Sequence, residues 1–187
     1  MAAALALTVG ATGQAKAQLV SYSTEYSTDG TNFFASVMQT FGGITLTYNG
    51  QVPTVVGAPT FGDLGTVTAA GTGSGTASGN IWMRIVQTVP TGGSADVSGL
   101  LAGTVSVASS LATIDWNNPS NVAHIDGVTY TIEPTGHGVT TINSPTTGFQ
   151  TIRGSITATP EPASMTLLAT GLVGIFGAAR RRRKSVA

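Results

Sequence analysis

Between residues 18 and 159 apolar and polar side chains alternate with a period near two. In GGITLTYNG, Ile44, Leu46 and Tyr48 alternate with Thr45 and Thr47; in VTYTI, Val128, Tyr130 and Ile132 alternate with Thr129 and Thr131. GNIWMRIVQTV, AGTVSVASSL and FQTIRGSITAT behave similarly and are rich in β-branched and aromatic residues. Successive side chains of a strand point to opposite faces, so this period marks strands with one buried face. Turn signals separate them at Asp29-Gly30, Asn49-Gly50, Gly92-Gly93, Asn117-Asn118-Pro119 and Gly136. AHIDGVTYTI predicts a tight hairpin with Asp126-Gly127 in a type I′ turn. Residues 65–80, GTVTAAGTGSGTASGN, lack large side chains and read as a flexible loop or a bulged edge strand. Helical periodicity longer than about two turns is confined to the termini, and no fixed-period repeat suggests a solenoid. The expected class is all-β: an antiparallel β-sandwich, jelly-roll-like, over residues 18–159.

The two ends break the pattern. Residues 1–17 hold an apolar stretch followed by Ala15-Lys16-Ala17, the small-residue cleavage pattern of a secretory signal peptide. No Lys or Arg precedes the apolar run, so either the positively charged region lies upstream of Met1 or the signal is weak. At the other end, residues 163–179 are uncharged. As a helix they would span roughly 25 Å, slightly short of a ~30 Å hydrocarbon core, a mismatch that snorkelling cations absorb. Arg180, Arg181, Arg182, Arg183 and Lys184 follow directly. Cations flank the cytoplasmic end of a spanning segment, so a single transmembrane helix is expected, C-terminus inside and body outside.

Pro160-Glu161-Pro162, then Ala163-Ser164, the apolar stretch with Leu167-Leu168 and Gly171-Leu172, and the arginine cluster together resemble the PEP-CTERM sorting signal of Gram-negative bacteria. The resemblance covers residues 160–187 and leaves the body unassigned. It implies Sec export, transient anchoring in the inner membrane with the body in the periplasm, and processing near the triplet by an exosortase. Release to the cell surface or an exopolysaccharide-rich matrix would follow. Pro160, Glu161 and Pro162 are then recognition residues of a substrate, and prolines keep such a segment extended and accessible.

Charge agrees with a divided chain. Seven acids (Glu25, Asp29, Asp63, Asp96, Asp115, Asp126, Glu133) against Arg84 and Arg153 leave the body at −5, while the chain as a whole is neutral. A mildly acidic body offers no footprint for nucleic acid. With no cysteine in the chain, disulfides, thiolate metal sites and cysteine nucleophiles are excluded.

The body carries little recognisable chemistry. His124 lies in an alternating strand and His137 between two glycines, and no G-x-S-x-G elbow accompanies them. Carboxylates for glycoside hydrolysis would have to converge from Asp63, Asp96, Asp115, Asp126 or Glu133. Asp115-x-Asn117 begins like a calcium loop, but Pro119 takes the next ligand position, so a plain turn is favoured over a loop calcium and no cofactor is expected. Trp82, inside a strongly apolar strand, is expected in the core. Trp116, beside Asn117-Asn118-Pro119, is the better placed tryptophan for a glycan, against a packing role. The leading expectation is a non-enzymatic structural protein of the cell surface or matrix. A carbohydrate-binding module using Trp116 comes second, and a glycan-active hydrolase third.

Overall fold

The computed structural model describes residues 17–133 and 135–159, together with Gly171. The predicted signal peptide apart from Ala17, the sorting triplet, the cationic block and the predicted helix apart from Gly171 lie outside the described residues. Among the described residues no helix is long and apolar enough to cross a membrane.

The described body is built of strands: β1 (Gln18–Ser27), β2 (Ser36–Phe41), β3 (Ile44–Gly50), β4 (Thr54–Ala58), β5 (Thr60–Gly71), β6 (Ser74–Val89), β7 (Gly93–Ser106), β8 (Thr113–Asp115), β9 (Val122–Ile125), β10 (Val128–Ile132), β11 (Val139–Thr141) and β12 (Phe149–Ala158). They form two six-stranded antiparallel sheets, in the orders β11-β8-β7-β6-β1-β4 and β2-β3-β5-β12-β10-β9. The all-β sandwich expected from the alternation is present. Its twelve strands exceed the eight of a jelly roll.

Alternation decides what is buried. Val20, Tyr22 and Tyr26 on β1, Ile44, Leu46 and Tyr48 on β3, Ile81, Met83 and Ile85 on β6, and Val128, Tyr130 and Ile132 on β10 fill the space between the sheets. Each such side chain contributes roughly 1.5–3 kcal/mol by leaving water. The four tyrosines are all buried, so each hydroxyl needs a partner. Those of Tyr22 and Tyr26 donate across the sandwich to the carbonyls of Asp63 (2.9 Å) and Leu64 (3.0 Å). Those of Tyr48 and Tyr130 donate to Oε1 of Gln39 (3.3 Å) and Gln87 (2.8 Å). The acceptors Asp63 and Leu64 lie at a bulge in β5, where Ile152 pairs with Gly65 but Arg153 pairs with Asp63. Burial, reinforced by the charge of Asp63, pushes the Tyr22 hydroxyl up to about 12.

The β9–β10 turn is type I′ as expected, with φ of 39° at Asp126 and 80° at Gly127. Asn49-Gly50 closes β3 and is not itself the turn. Residues 65–80 are paired strand rather than a flexible loop, bulged at Gly65 and, over Ser74 to Asn80, paired on one side only. Gly65–Gly71 is paired to β3 and, at its start, to β12, while Ser74 to Asn80 open β6 against β7. Their small size has a tertiary cause: the β2–β3 turn presses on this corner. A Cβ on Gly75 would strike the Phe41 backbone, and one on Gly71 the Gly43 backbone.

Candidate functional site

Trp116 is not at the surface. Ala112, Ile114 and Trp116 share the inward parity of β8 and its flanks, and all three are fully buried. The indole packs over Gly99 of β7, where a Cβ would come within 2.9 Å of the ring. Its Nε1 donates to Thr140 Oγ1 at 2.9 Å. Trp116 therefore presents no face to a glycan, and its candidacy as a sugar contact is withdrawn. Trp82 makes the opposite exchange. Its neighbours Ile81 and Met83 point inward, so Trp82 projects from the outer face and is only half-buried.

Trp82 lines a cleft of about 420 Å³ with Gly30, Asp96, Val97, Ser98, Pro119, Ser120 and Val122. Its floor is the outer face of β6 and β7, where Trp82 pairs with Ser98 and Arg84 with Asp96. One wall is the loop after β1, the other the crossover from β8 to β9. Both walls are held locally. Asp29 Oδ1 accepts from Ser27 Oγ (2.7 Å), Thr31 N (2.8 Å) and Asn32 N (2.9 Å), and Oδ2 from Asn32 Nδ2 (2.8 Å). These bonds, the backbone one from Asn32 foremost, hold its carboxyl well below the usual range. On the other side, Asp115 Oδ1 accepts from Asn117 N (3.0 Å) and Nδ2 (2.9 Å), and Ser98 Oγ donates to the Asn118 carbonyl. Asp115 thus anchors the bend that follows β8.

Charge in the cleft is closed in a pair. Arg84 Nε donates to Asp96 Oδ1 at 2.8 Å and Nη2 to Oδ2 at 2.9 Å. The guanidinium also lies 3.8 Å from the centre of the Phe33 ring. Sequence alone offers Asp96 only as a possible catalytic carboxylate. Its place beside Trp82 was missed, although the parity of Ile81, Met83 and Ile85 already turned Trp82 outward.

The remaining candidates are scattered. Glu133 is buried, with φ of 46°, and its Oε1 accepts from Arg153 N (3.0 Å) and Thr140 Oγ1 (3.3 Å). Burial raises its pKa, against the lowering effect of those bonds and of the Arg153 charge. Asp63 lines a second cleft, of about 400 Å³, with Phe61, Gly62, Thr135 and Arg153. Asp126 stands in its hairpin turn. His124 is exposed and lies 3.0 Å from Thr129 Oγ1, and His137 occupies a turn with φ of 53°. No group of three His, Cys, Asp or Glu that could hold a metal occurs among the described residues.

Residues 158–183 match the family model of the PEP-CTERM protein-sorting motif. Comparison with curated proteins and with solved structures found no match.

Proposed function

We propose that this chain is an exported structural protein of the cell surface or extracellular matrix, delivered by its C-terminal segment and processed there by an exosortase. The observation that carries this reading is the sorting-motif match, which begins at Ala158, the last residue of β12. The motif supports export in a Gram-negative bacterium, and its start at the end of the sandwich suits a cut that spares the fold. In this reading residues 163–179 hold the precursor in the inner membrane, and the five cations from Arg180 to Lys184 keep its C-terminus in the cytoplasm. Pro160, Glu161 and Pro162 are what the exosortase reads.

A non-catalytic body is supported by the dispersal of its carboxylates. Asp96 is ion-paired, Asp115 holds a turn, Asp126 occupies a hairpin, and Glu133 is sealed among backbone and hydroxyl donors. Fractionating wild type beside Glu161→Ala, with a tag in the body, tests the route. The expected result is a shortened wild-type body outside the inner membrane and a full-length variant retained in it. Full-length wild type held in the inner membrane of cells with an active exosortase would overturn the reading.

A further inference from the structure

We propose that the cleft over Trp82 binds a neutral pyranose unit of a glycan, the indole stacking against the C–H face of the sugar and Asp96 accepting from its hydroxyls. The proposal is independent of how the chain is sorted. Its volume of about 420 Å³ falls within the ~300–1,000 Å³ of small-ligand sites.

Three features of the lining select the ligand. The first is an aromatic ring fixed on one face by the loop wall. Gly30, with φ of 72°, lies against the indole so closely that a Cβ there would sit 3.0 Å from Cε2, 3.2 Å from Cδ2 and 3.3 Å from Nε1. Contact with these three atoms together places Gly30 over a ring face, and the Asp29 clamp fixes the loop that carries it. The second is unspent hydrogen-bonding capacity. Among the described residues Trp82 Nε1 has no partner, yet it is not sealed from solvent. Each Asp96 oxygen accepts one bond from Arg84 and keeps a second lone pair. Ser120 adds an exposed hydroxyl at the rim.

The third feature is charge. The only cation at the cleft among the described residues is committed to Asp96, so an anionic ligand finds no free partner. A cationic one would compete with a bidentate guanidinium. A pyranose matches what remains: one apolar face, a periphery of hydroxyls, and no charge.

The test uses the full chain in a zwitterionic detergent without sugar headgroups, first on an array of neutral and acidic glycans, then by calorimetry with the best neutral oligosaccharide. Neutral glycans are expected to bind. Trp82→Ala should weaken binding at least tenfold and Asp96→Asn several-fold, while Phe61→Ala, at the exposed aromatic of the second cleft, leaves it unchanged. Ser120→Trp, at an exposed loop position, fills the cleft without replacing a strand residue and should also abolish binding, so the proposal stays testable if Trp82→Ala fails to fold. No binding to any neutral glycan, binding restricted to acidic glycans, or wild-type affinity in folded Trp82→Ala or Ser120→Trp would overturn it.

Discussion

Ser98 and Gly99 are neighbours on β7 and look in opposite directions. Under Gly99 lies Trp116, sealed in the core, its Nε1 tied through Thr140 to the buried Glu133. Beside Ser98 lies Trp82, partly open to solvent, with an indole Nε1 that has no partner among the described residues. One strand thus separates a closed tryptophan site, where hydrogen bonds are made within the chain, from an open one with bonds left to make. Side-chain chemistry is the same on both sides. What differs is parity along the strand, which assigns one indole to stability and leaves the other for recognition.

This division makes graded predictions for unfolding by urea. Trp116→Ala removes the largest buried side chain and its bond to Thr140, and is expected to cost about 3–5 kcal/mol. Trp82→Ala is expected to cost less, roughly 1–2 kcal/mol, because a ring that keeps part of its surface in water loses less on truncation. Equal losses would erase the distinction between the sealed and open sides. The smallest effect sharpens it by pH. A raised folded pKa means that Glu133 favours its protonated form in the fold. Its stabilisation is therefore present below the ordinary carboxylate range and lost as pH rises through the folded value. Glu133→Gln keeps an acceptor for Thr140 and Arg153 without the charge. It should match wild type near pH 4 and exceed it by up to about 1 kcal/mol near pH 8. A stability difference independent of pH would show that Glu133 is not carrying a buried charge.

The alternation made the body legible as a sandwich because burial between two sheets imposes a period of two, and Ile44, Leu46, Tyr48, Val128, Tyr130 and Ile132 obey it. The Asp126-Gly127 turn was legible for a local reason: its positive φ values favour those residue types. Residues 65–80 were not, because their glycines answer to the backbone of Phe41 and Gly43, distant in sequence. The tryptophans were misassigned by weighing the apolarity of each stretch above its phase. Ile81, Met83 and Ile85 turn Trp82 outward, just as Ala112 and Ile114 draw Trp116 inward. The cleft itself joins a loop near residue 30, strands near residues 82 and 96, and a crossover near residue 119, a convergence that the pairing of β1 with β6, β6 with β7 and β7 with β8 brings about.

The position of β12 has a mechanical consequence. This last strand runs inside its sheet, joined to β5 over eight residue pairs and to β10 over five. The chain then leaves at Thr159, whose N–H still holds the Gly127 carbonyl at 2.8 Å. A pull directed along the strand axis would load both ladders in shear, so that their bonds resist together. An edge strand pulled sideways would instead unzip bond by bond. A tether pulling along that axis would meet the resistance of both ladders at once.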